Sequence, residues 1–395
     1  MSTRTVRIIM NGITGRMGYR QHLVRSILAI SDDGGIRMPD GSRIQVEPIL
    51  VGRNAEKIEE LATLHGVEEW TTDLDAALAD TTATVYFDAA LTSARKEGIL
   101  KAVAAGKHVY TEKPIAESVA DGLDLASAAE QAGVINGVVH DKLYLPGLLK
   151  LKRLIDSGFF GRILSVRGEF GYWVFEGDLI PAQRPSWNYR KEDGGGMTLD
   201  MYCHWNYVLE NLFGKVQAVT SKSVTHIPDR FDEQGNHYRA TADDAAYGIF
   251  ELEHDIIAQI NSSWAVRVDR EELVEFQVDG THGSAVAGLF GCRIQPRVST
   301  PKPVWNPDLK TEQDFRAQWE QIPDNQVFDN GFRSQWEEFL KDVDAGRPHA
   351  YDFMAGVRGL RLVEAGLTSS AEGRRVEIGA VASAGSATTR GSAAS

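Results

Sequence analysis

Apolar positions along the chain follow two regimes, and the change comes near residue 160. In the first, short runs of β-branched and aliphatic residues alternate with helical patterns, as expected of a parallel sheet with right-handed crossovers. Residues 4–10 (RTVRIIM) predict a buried strand, followed by a glycine turn and a helix carried by His22, Leu23, Ile27 and Leu28. Residues 31–47 are polar and glycine-rich, so a lengthened loop with a small hairpin at Asp40-Gly41 is expected there. The second strand is then expected at 48–51, with helices over 56–65 and 74–78, a strand over 84–89 and a helix over 93–105. A helix over 115–132 and a buried strand over 134–139 complete a doubly wound α/β domain spanning residues 1–140.

From residue 162 apolar and polar side chains alternate, which predicts an antiparallel sheet with one exposed face. The expected strands are 163–174, 216–225, 245–253, 255–263 and 273–278, joined to the first half by an amphipathic helix over 146–156. Late helices are expected at 332–343 and 354–371, giving an α+β domain over residues 141–379. The broad sheet face, bearing Tyr172, Trp173 and Phe175, is expected to pair with a second copy as a homodimer or homotetramer. Residues 380–395, a run of Ala, Ser, Gly and Thr, predict a disordered tail.

Composition narrows the partners. The formal net charge is −13, which argues against nucleic acid and anionic membranes as general partners. No apolar run reaches the roughly 18 residues that a membrane span needs. A strand-like segment starting by Thr5 leaves no room for a signal peptide, and two cysteines, Cys203 and Cys292, make no disulfide framework. A cytoplasmic protein is expected.

The stretch that organises the chain is GKHVYTEKP, residues 106–114. Its alternating strand ends in a lysine just before a proline, and proline restricts the preceding residue and cannot join a ladder. Lys113 is therefore expected at the carboxyl end of a parallel strand, the edge where open α/β sheets bind ligands. At the first such edge stand Gly12, Thr14, Gly15, Arg16, Met17 and Gly18, spaced GxxGxxG where GxGxxG is usual. Strand, glycine turn and helix together suit a pyrophosphate resting on a helix N-terminus, although a plain tight turn fits the same spacing. After the second strand come Arg53 and Asn54. Arginine at that position accommodates a 2′-phosphate, which favours NADP, with NAD as the alternative.

The second informative stretch is GGGMTLDMYCHW, residues 194–205. Asp200 and His204 lie four apart on one helix face. A histidine near its ordinary pKa can accept a proton at neutral pH, while a capping aspartate and a merely hydrogen-bonded histidine would show the same spacing. No CxxC or HxxxH completes a metal set with Cys203, so no metal is expected.

GKHVYTEKP followed by GGGMTLDMYCHW resembles the Gfo/Idh/MocA oxidoreductases, and the likeness continues through SGFFGRI at 157–163, VDGTHGS at 278–284 and GLRLVEA at 359–365. That resemblance implies a Rossmann domain, an open-faced antiparallel sheet domain that oligomerises through the sheet, and a catalytic lysine, aspartate and histidine falling on Lys113, Asp200 and His204. Two departures stand out: Ala90-Leu91-Thr92 and Arg95 replace the frequent Thr-Pro-Asn and histidine, and Asp141-Lys142 replace a common Asn-Arg pair.

The expected reaction is hydride transfer between a nicotinamide and a carbinol carbon of a sugar, cyclitol or sugar derivative. His204 takes the hydroxyl proton, Lys113 stabilises the developing alkoxide and Asp200 orients the pair. Thr92 and Glu112 are further cofactor candidates, Glu112 serving either the cofactor or the position of Lys113. Arg184, Trp187, Asn188 and Tyr189 are candidate sugar contacts, with Trp173 and Tyr144 beside them, because sugars present C–H faces and hydroxyl rims. Packing at the domain junction is the competing reading for these aromatics. Two other functions remain in play: redox-assisted glycoside cleavage with tightly held cofactor, and a non-enzymatic dinucleotide sensor.

Overall fold

The computed structural model describes residues 2–301, 308 and 314–379, so the expected tail at 380–395 lies outside the described residues. The first half runs β1 (Thr3–Asn11), a π-wound helix (Met17–Leu28) continuing as α1 (Ala29–Asp32), β2 (Ile36–Arg37), β3 (Arg43–Val51), α2 (Ala55–His65), β4 (Trp70–Thr71) and α3 (Leu74–Ala79). It continues with β5 (Ala83–Asp88), α4 (Thr92–Ala104), β6 (His108–Thr111), α5 (Val119–Ala132) and β7 (Asn136–Val138). The sheet order is β2-β3-β1-β5-β6-β7, with β4 also on β3. All pairings are parallel except the β2–β3 hairpin. The chain therefore winds outward from β1 in one direction and, from β5, in the other, which opens a crevice beyond Asn11, Val51, Asp88 and Thr111.

Local chemistry sets the ends of these elements. Asn54, Asp73 and Ser118 accept backbone N–H bonds at the starts of α2, α3 and α5, and Gly66 and Gly133 close α2 and α5 in left-handed geometry. β1 and β3 bury nearly continuous aliphatic runs because helices cover both faces.

The second half adds α6 (Pro146–Asp156), β8 (Ile163–Phe170), α7 (Met197–Leu212), β9 (Val216–Val224), β10 (Asp229–Phe231), β11 (His237–Arg239), β12 (Ala245–Leu252) and β13 (Ile257–Ser263). It ends with β14 (Val274–Gly280), β15 (Gly283–Ala287), β16 (Cys292–Pro296), β17 (Glu320–Gln321), α8 (Gly331–Ala345), α9 (Phe353–Glu372) and β18 (Val376–Glu377). Nine strands form one sheet in the order β17-β16-β15-β14-β8-β13-β12-β9-β18. Its inner face, with Val166, Phe170, Phe250, Ile260 and Phe276, packs with Trp205 and Tyr202 of α7 in one core. The outer face is open and carries Leu164, Tyr247, Ile249 and Ile257.

Four expectations need correction. The loop over 31–47 shrinks to the β2–β3 turn, because β3 starts at Arg43 and pairs with β1 from Thr3 onward. The polar residues there alternate with buried Ile44 and Val46, so the polar content of the segment had masked the strand. The second sheet is mixed, since β8 lies parallel to β13 and antiparallel to β14. Strand β8 stops at Phe170, and Trp173–Phe175 make a 3₁₀ turn, so Tyr172, Trp173 and Phe175 are not on the broad sheet face. The helix expected from 115 starts at Val119, where Ser118 caps it.

One long-range contact matters for the site. Trp336, Phe339 and Leu340 of α8 return to the first half and join Phe87 and Tyr110 in its core. The C-terminal helices thus brace the ends of β5 and β6 from behind.

Candidate active site

At the end of β1 the chain turns through Gly12, whose φ of +79° suits only glycine and whose Cα would bring any Cβ into the backbone of Ala89 and Ala90. A Cβ on Gly18 would lie 2.6 Å from the Gly12 oxygen. These two glycines weld the turn to the β5 loop. Gly15 differs: a Cβ there would meet only the Gly12 oxygen, at an ordinary 3.5 Å. Internal packing does not require glycine at that position, whereas a backbone that must approach a pyrophosphate at the helix start does. The residues present therefore fit a dinucleotide. Thr14 and Arg16 are exposed in this turn, and Met17 is half-buried.

The side chain of Thr14 approaches Gly52, which puts the turn beside the end of β3. Arg53 is exposed there without a side-chain partner among the described residues, while Asn54 caps α2 by accepting the Lys57 N–H at 3.0 Å. Thr92 opens α4 and is half-exposed. Glu112 is buried: its carboxylate meets His22 Nε2 at 2.7 Å and accepts the Lys113 N–H at 3.1 Å. Trp336 Nε1 donates to His22 Nδ1 at 2.9 Å, so His22 must donate from Nε2 to Glu112. This geometry assigns Glu112 to holding the backbone of Lys113.

Arg95 braces the same edge. Its guanidinium lies 3.3 Å from Asp88, donates to the Ala90 carbonyl at 2.8 Å and also to the Pro114 carbonyl. Asp88 in turn accepts from Tyr86 at 2.6 Å and the Ala90 N–H at 3.0 Å. Where the family resemblance leads one to look for a histidine, this chain has a buried ion pair that ties the β5 loop to the residue after Lys113.

From the other side α7 is launched by the glycine loop. Gly194 and Gly196 take positive φ, and the Asp243 carboxylate accepts the Thr198 N–H at 2.8 Å. Lys113 Nζ donates to Asp200 Oδ1, and Arg184 Nη2 stands 3.0 Å from Oδ2. Burial alone would push the Asp200 carboxyl up, but Lys113 and Arg184 outweigh it and hold it well below the usual carboxylate range. The opposite balance applies to Lys113: burial lowers it, yet Asp200 more than compensates and keeps the ammonium charged. His204 is buried, and burial, reinforced by Lys113, Lys142 and Arg184, drives its pKa well below the ordinary value. Its imidazole is thus neutral at physiological pH and able to accept a proton.

Among the expected sugar contacts, Trp173 and Trp187 are well exposed. Arg184 is held over Trp264 at 4.6 Å and donates to Asn188 Oδ1 at 3.0 Å, so buried Asn188 serves Arg184. Tyr189 is buried, with its hydroxyl on the Phe175 carbonyl at 2.7 Å and Arg230 over its ring. Tyr144 gives its hydroxyl to Glu338 of α8. These last two rings are engaged in packing, the competing reading.

Tyr207 went unmarked in the sequence, Asp141 and Lys142 were marked there only as a departure from the family pattern, and the structure gathers all three next to His204. Tyr207 lies 2.6 Å from His204 Nδ1, Asp141 Oδ1 stands 3.1 Å from that phenol, and Lys142 has its ammonium 3.9 Å from Asp141. Burial lowers the Lys142 pKa, and Asp141 only partly restores it. The spacing His204-x-x-Tyr207 on a helix was the available signal for the first. Cys203 is a buried thiol pushed up to about 12 by desolvation, which suits neither a nucleophile nor a ligand. Among the described residues no group of three or more His, Cys, Asp or Glu side chains is arranged to hold a metal. None of their helices is long and apolar enough to cross a membrane.

Comparison with known proteins agrees with this architecture. The chain is 64% identical over 380 residues to a D-xylose dehydrogenase of Paenarthrobacter nicotinovorans, covering 95% of this chain and 98% of that one. It is 20% identical over 345 residues to an NADP(+) scyllo-inositol 2-dehydrogenase of Bacillus subtilis (strain 168), covering 85% and 88%. A levoglucosan dehydrogenase structure, in complex with NADH and levoglucosan, superposes with a TM-score of 0.78 at 20% identity, over 95% of this chain and 100% of that one. Residues 7–140 match the oxidoreductase family with an NAD-binding Rossmann fold, and residues 148–286 match the GFO/IDH/MocA C-terminal domain. A crevice at the carboxyl ends of the parallel strands, an ion pair of Lys113 with Asp200, and above all these matches have one common reading: the chain belongs to the GFO/IDH/MocA family of oxidoreductases.

Proposed function

We propose that this enzyme oxidises the anomeric hydroxyl of D-xylose or a closely similar aldopyranose, with NADP(H) as cofactor and NAD(H) as the alternative. The observation that carries the reading is the meeting of a charged Lys113, a carboxylate Asp200 and a neutral His204 where the first half's strand ends abut α7. A bound nicotinamide supplies the hydride acceptor. The protein supplies the rest. His204 takes the hydroxyl proton as the C–H bond yields its hydride, and Lys113 stabilises negative charge building on the oxygen. Asp200, anchored by Arg184, keeps Lys113 in place. The anomeric carbon favours hydride loss because its ring oxygen shares the developing positive charge, and the product is a lactone. The 64% identity to a D-xylose dehydrogenase supports the sugar, and Trp187 and Trp173 offer flat surfaces for its C–H face.

Arg53 supports NADP: it is exposed after β3 with no side-chain partner among the described residues, at the strand end where an arginine accommodates a 2′-phosphate. The open outer sheet supports a homo-oligomer, and two free buried cysteines fit a reducing, cytoplasmic setting. The test is a panel of aldoses and cyclitols assayed for reduction of NADP and NAD. D-xylose turnover with lactone or aldonate detected by mass is expected. A sugar product of unchanged oxidation state would point to transient oxidation in glycoside processing, and a preference for NAD would refute the Arg53 argument.

A further inference from the structure

His204 and three groups beside it, Tyr207, Asp141 and the Lys142 N–H, form a hydrogen-bonded chain that has one consistent assignment of donors. The Tyr207 phenol lies 2.6 Å from His204 Nδ1 and 3.1 Å from Asp141 Oδ1, and it accepts the Lys142 N–H at 3.2 Å. An ionised carboxylate has no hydrogen to give, so the phenol must donate to Asp141. Its two lone pairs are then left for the Lys142 N–H and for His204, which must carry its proton on Nδ1. Nε2 takes no hydrogen-bond partner among the described residues, whereas Nδ1 is engaged by Tyr207. The His140 ring stacks on Tyr207 with centroids 4.1 Å apart at 22°, which fixes the plane of the phenol.

From this geometry we propose that Tyr207 and Asp141 are positioning residues for the base: they lock His204 as the Nδ1–H tautomer and leave Nε2 as the atom that accepts the substrate proton. This rests on His204 being the base, as argued above. When the hydroxyl proton moves to Nε2, the ring gains a positive charge in a neighbourhood already holding Lys113, Lys142 and Arg184. Asp200 faces Lys113 and Arg184, and the Cys203 thiol is uncharged, so neither offsets the new charge on the ring. Asp141 does. Its carboxylate stands 3.6 Å from His204 Nδ1, and the phenol hydrogen between them can follow the charge. The same logic underlies the aspartate of a serine protease triad, with a tyrosine interposed here.

The test uses full-length enzyme labelled with ¹⁵N-histidine, free of cofactor, alongside Tyr207→Phe and Asp141→Asn. Wild-type His204 should show the Nδ1–H tautomer, and Tyr207→Phe a tautomeric mixture. In kinetics Tyr207→Phe should lower kcat about 10- to 100-fold, as loss of an orienting partner does, with KM for sugar within about threefold. Asp141→Asn should move the acid limb of kcat/KM to lower pH, because the imidazolium loses its counter-charge. An Nε2–H tautomer in the wild type overturns the relay. An Nδ1–H tautomer with kcat of Tyr207→Phe within about twofold of wild type overturns its catalytic role. Full turnover by His204→Asn would instead fault the choice of base, which the tautomer measurement does not depend on.

Discussion

Replacing Lys113 by alanine is the sharpest perturbation of this site, because the fold offers a built-in control. Asp200 keeps Arg184 at 3.0 Å, so the carboxylate is not stranded when the ammonium goes. The loss then falls on the reacting oxygen. A unit charge about 4 Å from an alkoxide, at an effective dielectric of about 20, stabilises it by about 4 kcal/mol. Asp200 sits on the same ammonium and returns part of that field, leaving about 3 kcal/mol, or roughly 10²-fold in kcat. A second change has a definite sign: Lys113 helps depress the His204 pKa, so its removal raises that pKa and moves the acid limb of kcat/KM to higher pH. The assay is steady-state sugar oxidation followed at the reduced-nicotinamide band, with cofactor affinity read from intrinsic fluorescence and folding from a thermal melt. Turnover within a few-fold of wild type, or a collapse of the melt in step with the lost activity, would refute the reasoning.

Other consequences are testable separately. Gly15→Val should raise the KM for cofactor by about tenfold or more while the melting temperature holds, since its side chain would enter the proposed pyrophosphate cradle and meets only the Gly12 oxygen, at an ordinary 3.5 Å; equal loss of stability would show the position to be structural. In the wild type, sugar oxidation should persist well below pH 6.5 and fall only as pH drops through the lowered pKa of His204, because the proposed base works in its neutral form; an acid limb at the ordinary histidine value would contradict the burial argument. Arg230 and Asp244 are fully buried partners, and Arg230 also ties Phe175 and Ile227 by their carbonyls. Arg230→Met should destabilise by about 3–5 kcal/mol in denaturant titration, and a change under about 1 kcal/mol would show Asp244 to be satisfied by the His226 and Ile227 amides.

Much of the first half was legible because its signals are local. A β-branched run, a glycine turn and a helical pattern are neighbours in sequence, and α6 (Pro146–Asp156) announced itself through a strong apolar stripe. Arg43 to Glu47 were misjudged since the start of β3 mixes polar and apolar residues that a loop would also carry. Strand β4 escaped because two residues have no periodicity. The candidate substrate aromatics divided for a similar reason: nothing in the sequence separates an exposed Trp187 from a Tyr189 sealed under Arg230.

The sequence by itself determined the kinds of groups present and their local frames: a lysine held at a strand's end, a glycine turn before a helix, an aspartate and a histidine one helical turn apart. Tertiary structure decided what those groups are chemically. Lys113 and Asp200 are 87 positions apart, and their protonation states follow from each other's field; His204 is neutral because burial and three distant cations refuse it a charge. Electrostatic interaction depends on distance through space and on the loss of water around the pair, and neither quantity is written in the order of the residues.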